Sequence, residues 1–155
     1  MLDAVDRKII GLLQRDARIS NADISRAVGM VPSATLERVR KLEEKGILKG
    51  YHAAVDPGAM GMGLLAFVFV KTTEGWTTRE TAHALAAIPH VLECHDVAGD
   101  DCYLLKVRAG DAGHLNRILR EHLGRMETVV STKTTIVFET YKEVPAVLIE
   151  EVDNA

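Results

Sequence analysis

Catalysis and metal binding need His, Cys, Asp or Glu side chains gathered at recognisable spacings, and this sequence does not gather them. Among its six histidines, His114 and His122 stand eight residues apart, two turns of a helix, and His83, His90 and His95 show no metal-ligand spacing. Each reads as a surface or core-edge residue. Asp96, Asp100 and Asp101 are neighbours, but no nucleophile–base pair accompanies them, and there is no glycine-rich phosphate loop. Trp76 reads as an edge-packing residue. The richest stretch is "PSATLERVRKLEEKG", Pro32 to Gly46, which sets Arg38, Arg40, Lys41 and Lys45 on one short segment. Guanidinium groups can bond guanine through two parallel hydrogen bonds, Ser and Thr hydroxyls reach phosphates or base edges, and Lys neutralises phosphate. That chemistry suits duplex DNA and calls for no cofactor.

The elements around this segment fit the same use. Asp3 can cap a first helix whose inner face is Val5, Ile9, Leu12 and Leu13, at i, i+4, i+7 and i+8. This helix fades near Asp16–Arg18. Ser20, with Asp23 three residues on, resembles a capping box and starts a second helix with Ile24, Ala27 and Val28 inside. Gly29 suits the left-handed residue that closes it. A third helix opens at Pro32 and ends at Gly46. At about 100° per residue, Leu36, Val39 and Leu42 fall on the side facing the first two helices. Ser33, Ala34, Glu37, Arg40 and Lys41 fall opposite, with Arg38 and Lys45 flanking. Thr35 lies near the buried side. Three helices, a sharp turn at Gly29, and one or two short strands in "ILKGYHAAVD" spell a winged helix-turn-helix. The plain alternative is a solvated face on which Glu37, Glu43 and Glu44 pair with nearby cations.

The second half changes rhythm after the Gly-rich "DPGAMGMG". It reads as strand, helix capped by Thr77 or Thr78, two strands about a "GDD" turn, helix capped by Asp111, and strand. The order βαββαβ is a split-βαβ, ferredoxin-like sheet. The fold class is therefore α+β: an N-terminal winged helix-turn-helix plus a C-terminal ferredoxin-like βαββαβ sandwich domain. Both helices would cover one face of the sheet. Yet the first strand is apolar on both alternations, with Leu65, Phe67 and Phe69 on one side and Leu64, Ala66, Val68 and Val70 on the other. A second copy of the chain is the simplest cover for the bare face.

Residues 1–57 carry a net charge of +2 and residues 58–155 a net of −5, so the two halves favour different partners. The acidic N-terminus is no signal peptide. The longest apolar run, Met62 to Val70, is far shorter than the roughly 18 residues of a membrane span. These readings predict a cytoplasmic protein with no membrane partner. A turn near Gly99–Asp100 pairs residues whose numbers sum to about 199, setting Cys94 near Leu105 and Cys102 opposite Val97. The two thiols are then out of register for a disulfide.

Three stretches, "LDAVDRKIIGLLQRDARISNADISRAVGM", "PSATLERVRKLEEKGILKGYHAAVDP" and "ECHDVAGDDCYLLKV", resemble the Lrp/AsnC, or feast/famine, regulators, and in order they span nearly the whole chain. The resemblance implies a DNA-binding domain over 1–56, a linker over 57–63, a ligand-binding and oligomerisation domain over 64–142 and a tail over 143–155. It implies double-stranded DNA and an amino-acid-like effector as partners, and dimers that assemble further, to octamers. Ser33, Thr35, Arg38 and Arg40 match the family's DNA-reading helix, joined on the helical wheel by Glu37 and Lys41. The turn holding Gly99, Asp100, Asp101 and Cys102 matches the effector loop, with Asp101 and Cys102 replacing an aromatic and an acid. Thr132 and Thr134 match where the family completes the pocket. Val31 stands where the family often has a capping Ser, so Ser33 is expected to cap and start the helix later. The rival reading is a metabolic enzyme or small-molecule-binding module built on the ferredoxin-like domain. A third makes the winged helix a protein-interaction module.

Overall fold

Two short polar side chains decide where the first helices begin. In the computed structural model, which describes residues 2–74, 78–99 and 102–149, Asp3 accepts the Asp6 N–H at 2.7 Å and the Asp6 carboxylate accepts the Asp3 N–H at 3.4 Å. This reciprocal box opens α1 (Ala4–Arg15). Ser20 accepts the Asp23 N–H at 3.1 Å and opens α2 (Asn21–Val28). Asp23 is one methylene shorter than Glu, and its carboxylate takes the Ser20 hydroxyl. Gly29 closes α2 at φ 71°, a backbone region that costs other residues a Cβ clash.

α3 (Pro32–Glu44) starts differently. Val31 occupies the cap position and makes no side-chain bond, while Pro32 fills the first turn. Ser33 lies inside the helix, so the later start expected of it does not occur: the fixed φ of Pro32 begins the helix without a cap. Gly46 ends it at φ 65°, with the Ile47 N–H reaching the Leu42 carbonyl at 3.0 Å and the Gly46 N–H reaching Glu43 at 2.8 Å. Ile9, Leu13, Ile24 and Leu42 form the core of this unit, packed by Val5, Leu12, Val28 and Val39. The expected wing strands are absent: residues 47–56 adopt no strand. Their loose alternation finds no neighbouring strand to pair with. The Tyr51 hydroxyl instead donates to Glu43 at 2.8 Å. Burial, and then the Glu43 carboxylate, push this phenol up to about 12. The segment from Glu143 belongs to the same unit. Gln14 ties it down, donating to the Val147 carbonyl at 3.0 Å and accepting the Val147 N–H at 2.7 Å.

The second unit, Val55–Lys142, runs β1 (Leu64–Thr72), α4 (Glu80–Ala86), β2 (Val91–Asp96), β3 (Tyr103–Ala109), α5 (Ala112–Glu121), a short 3-10 turn at Leu123–Arg125, and β4 (Val129–Val137). The antiparallel sheet has the order β2-β3-β1-β4, the split-βαβ arrangement that the sequence predicts. Its first residues fold back on themselves, with the Met62 N–H on the Pro57 carbonyl at 2.7 Å, so the expected 57–63 linker is a turn of this unit. Asp111 caps α5, accepting the His114 N–H at 2.7 Å. α4 is shorter than expected. Arg79 takes its cap position and makes no side-chain cap bond, so Thr78 does not cap; Thr77, like Trp76, lies outside the described residues.

Burial splits β1 by alternation. Ala66, Val68 and Val70 are fully buried, in a cluster with Leu85, Leu105, Val107, Leu115 and Ile118. Phe67 and Phe69 face the other way and are only half-buried. Phe69 lies opposite Leu104 and Lys133, and the Lys133 ammonium stands 5.6 Å from its ring centre. β2 and β3 pair Asp96 with Tyr103 and Cys94 with Leu105, the register expected about the turn. Both thiols are free. Among the described residues no helix is long and apolar enough to cross a membrane.

Candidate functional site

The packing of α3 sorts its side chains into two sets. Thr35 and Leu42 are buried, at 0 % and 3 % exposure, and Arg38 and Val39 are half-buried. This stripe at i, i+3, i+4 and i+7 faces α1 and α2. Ser33, Leu36, Glu37, Arg40 and Lys41 lie outside it and are exposed. Two expectations change. Thr35, matched to the DNA-reading set by resemblance, turns inward: its hydroxyl donates back to the Val31 carbonyl at 3.3 Å. Leu36, expected inside, is 59 % exposed, because the stripe centres on Thr35 and Leu42 and the next residue is rotated about 100° away.

Arg38 does something the sequence did not reveal. Its Nη1 donates to Asp3 at 2.6 Å and to Asp6 at 2.7 Å, so the two acids that start α1 also grip α3. The Asp6 N–H, and then the Arg38 guanidinium, hold the Asp3 carboxyl below its ordinary 3.8. The same two carboxylates raise the pKa of Arg38. Asn21 adds a second tie, donating from Nδ2 to the Pro32 carbonyl at 2.9 Å. The outer cations are paired only along the helix, Arg40 with Glu44 at 2.8 Å and Lys41 with Glu37 at 3.5 Å. Such exposed pairs are weak and screened by salt, so a phosphate can displace them.

The second unit holds a cleft of about 450 Å³ where the end of β1 meets α4 and the β2–β3 turn. Gly99 and Cys102, both singled out in the sequence, line it; Asp100 and Asp101 lie outside the described residues. Thr132 and Thr134 do not line it. They stand on edge strand β4 opposite Val70 and Val68, exposed. The Cys102 sulfur accepts the Thr72 N–H at 3.5 Å. The Cys94 thiol points to the Ala82 carbonyl at 3.9 Å, and burial, followed by the Asp96 charge, pushes its pKa up. Thr72, Glu74, Arg79, His83 and Asp96 are among the other lining residues. Arg79 and His83, four apart, share a helical face, a signal present in the sequence. The Thr72 hydroxyl is buried with no hydrogen-bond partner among the described residues, a condition costing about 1–3 kcal/mol. No group of three or more His, Cys, Asp or Glu able to hold a metal occurs among the described residues.

A helix-turn-helix with an exposed polar recognition face, joined to a split-βαβ domain with a small-molecule-sized cleft, defines a ligand-responsive class of DNA-binding protein. Residues 2–43 match the AsnC-type helix-turn-helix domain, and residues 65–147 match the Lrp/AsnC ligand binding domain. The leucine-responsive regulatory proteins of Escherichia coli K12 and Haemophilus influenzae are each 39 % identical over 144 residues, 92 % of this chain and 88 % and 87 % of theirs. A Neisseria meningitidis transcriptional regulator solved with L-Met has a TM-score of 0.88 at 29 % identity, over 96 % of this chain and 97 % of that one. The feast or famine regulatory protein of M. tuberculosis, complexed with L-methionine, also has a TM-score of 0.88, at 31 % identity over 97 % of this chain and 100 % of that one. The chain belongs to the Lrp/AsnC family. It is a DNA-binding transcriptional regulator of that type, and its relatives are regulators rather than enzymes.

Proposed function

We propose that α3 reads the DNA major groove through Ser33, Leu36, Glu37, Arg40 and Lys41, with Arg38 positioning the helix rather than reading bases. The carrying observation is the division of α3 by burial: these five side chains are exposed together while Thr35, Arg38, Val39 and Leu42 turn inward. Arg40 suits guanine or a phosphate, Lys41 a phosphate, Glu37 a cytosine amino group, and Leu36 a thymine methyl. The half-buried Phe67 and Phe69 seat a second copy of the chain on the bare sheet face, and further assembly reaches an octamer. A dimer sets two α3 helices in successive major grooves about 34 Å apart. The protein works in the cytoplasm beside its DNA. An amino acid or related metabolite, held at the Gly99–Cys102 turn and completed across a subunit junction by Thr132 and Thr134, shifts assembly and promoter affinity. The two methionine complexes among the structural relatives support that class of effector. It acts only through its differential affinity for the two states.

Selection of binding sites from a random DNA pool, followed by titration at several salt concentrations, tests the reading. A palindromic consensus and an affinity that falls steeply with salt are expected. A flat salt response and no consensus would remove the DNA assignment from α3. Light scattering after size exclusion tests the assembly: a monomer at all concentrations overturns the second copy on the sheet.

A further inference from the structure

The side of α1 that faces away from its core carries charge of one sign. Taking about 100° per residue, Arg7, Lys8, Gln14 and Arg15 fall within roughly 60° of Gly11, opposite the buried Ile9 and Leu13. No Asp or Glu of α1 shares this face. The segment from Glu143, part of the same compact unit, runs over it. Gln14 holds both backbone groups of Val147, and the Ile149 Cδ1 stands 3.8 Å from where a Cβ on Gly11 would lie. The segment therefore descends α1 toward its N-terminus. Val147 and Leu148 remain 74 % and 85 % exposed, so little apolar burial holds it down. One turn below Gly11, the Arg7 Nε is buried with no hydrogen-bond partner among the described residues. Buried polar groups are almost always bonded, and a carboxylate is the strongest match for a guanidinium. The sequence supplies that group next: Glu150, Glu151 and Asp153 follow Ile149 and lie outside the described residues.

We propose that the acidic segment 150–153 docks on the end of this face that holds Arg7 and Lys8, with one carboxylate on Arg7, and so screens α1 from nucleic-acid phosphate. The lengths allow it. Gly11 to Arg7 is about 6 Å of helix, and two residues of chain past Ile149 span up to about 7 Å. Non-specific DNA binding is phosphate neutralisation and uses any cationic face. A tethered acid, present at high effective concentration, competes with it, while base reading by α3 is left intact. The strap therefore lowers non-specific affinity more than specific affinity, and so raises the ratio that decides whether a regulator finds its site. The described anchor is two hydrogen bonds and one half-buried isoleucine, so the strap opens at low cost. The inference rests on the DNA-binding role of the chain and adds a segment of the same chain that regulates it.

Two full-length variants test it on a DNA duplex that lacks the selected consensus. One combines Glu150→Gln, Glu151→Gln and Asp153→Asn; the other, Gln14→Ala, keeps every charge and removes the anchor. A strap closed nine-tenths of the time lowers apparent affinity about tenfold, so both variants should tighten non-specific binding by up to about tenfold. Both should also steepen its salt slope by about 1–3 as Arg7, Lys8 and Arg15 reach phosphate. A second readout needs no DNA. The Val147 amide, which donates to Gln14, should exchange its hydrogen several-fold faster in the acid-neutralised variant, and in the wild type at about 1 M salt. If the acid-neutralised variant tightens DNA binding while Gln14→Ala does not, and the Val147 amide exchanges as in the wild type, the acids repel DNA from solution and the docking is overturned. Unchanged DNA binding and exchange in both variants overturn it outright. If the wild type binds no DNA, the regulatory role falls with the DNA-binding reading, and the docking stands or falls on the Val147 exchange alone.

Discussion

The recognition face of α3 and the cleft of the sheet unit are built on opposite plans. The face is one helix thirteen residues long, and every exposed side chain on it is fixed by a local period and one buried stripe. The cleft draws Thr72, Arg79, Asp96 and Cys102 from four places in the chain, and none has meaning until the sheet closes. Assembly also differs. α3 is held by Arg38 across to Asp3 and Asp6 and needs no ligand to take shape. Among the described residues the cleft retains an unmade hydrogen bond at Thr72. A face set by packing alone suits DNA reading, and a site with an unmade bond gives a small molecule something to stabilise.

Core deletions separate the two units with the largest effect. Ile9→Ala and Leu105→Ala each empty a site with 0 % exposure, and each should cost about 2–5 kcal/mol in urea unfolding. Ile9→Ala should abolish DNA binding while self-association survives; Leu105→Ala should abolish self-association and, with the second α3 lost, weaken DNA binding while the helical unit stays folded. If Ile9→Ala also removed self-association, or Leu105→Ala unfolded the helical unit, the units would not be energetically separate.

On the recognition face, Arg40→Ala should lower DNA affinity and, if Arg40 meets a phosphate, reduce the salt slope by about 1 for all sequences alike. Leu36→Ala should leave that slope unchanged and relax one thymine position in the selected consensus. An unaltered consensus with Leu36→Ala would return Leu36 to the ordinary solvated surface.

The same contrast explains what the sequence disclosed. Caps and closures at Asp3, Ser20, Gly29, Gly46 and Asp111 are local, and all five stand where expected. The β2–β3 register followed from one turn, and the βαββαβ order from periodicity. What stayed hidden depended on contacts across the fold. The alternation over 47–56 resembled strands, but a strand needs a partner. The wheel sets Leu36 inside because it fixes angles and not the direction of the core; the same wheel sets Thr35 near the buried side, and only the resemblance puts it in the DNA-reading set. Arg38 resembles a DNA contact by residue type, and its grip on Asp3 and Asp6 is a contact across the fold that the sequence does not show. The cleft was legible at Gly99 and Cys102 through the loop resemblance, while Arg79 and His83 offered only an i,i+4 spacing.

Stability changes on α1 and α3 sharpen the contrast further. Val31→Ser supplies the cap that α3 lacks and should add about 1 kcal/mol, seen as a higher urea midpoint at unchanged slope. Asp3→Asn probes the Arg38 grip through pH. The folded Asp3 carboxyl lies below its ordinary 3.8, so its stabilisation is present above that value and is lost as pH falls through the lower folded one. Asn still caps α1. The wild type should therefore exceed Asp3→Asn in stability at pH 6, with the two converging as acid protonates Asp3. A constant gap down to the lowest pH that leaves the chain folded would show that the carboxylate charge contributes nothing.

The smallest effect tests where the boundary between the two faces of α3 runs. Thr35 is fully buried, and its hydroxyl makes one long bond, 3.3 Å, to a Val31 carbonyl that already accepts the Thr35 N–H at 3.1 Å. Thr35→Val keeps the branched shape and leaves that carbonyl satisfied, so it should change stability by less than about 1 kcal/mol. Because the side chain points into the helix bundle, DNA affinity, consensus and salt slope should match the wild type. A shift in the consensus at any base would mean that α3 rotates on the DNA enough to expose Thr35, and the stripe through Thr35, Val39 and Leu42 would not be the fixed inner face described for the free protein.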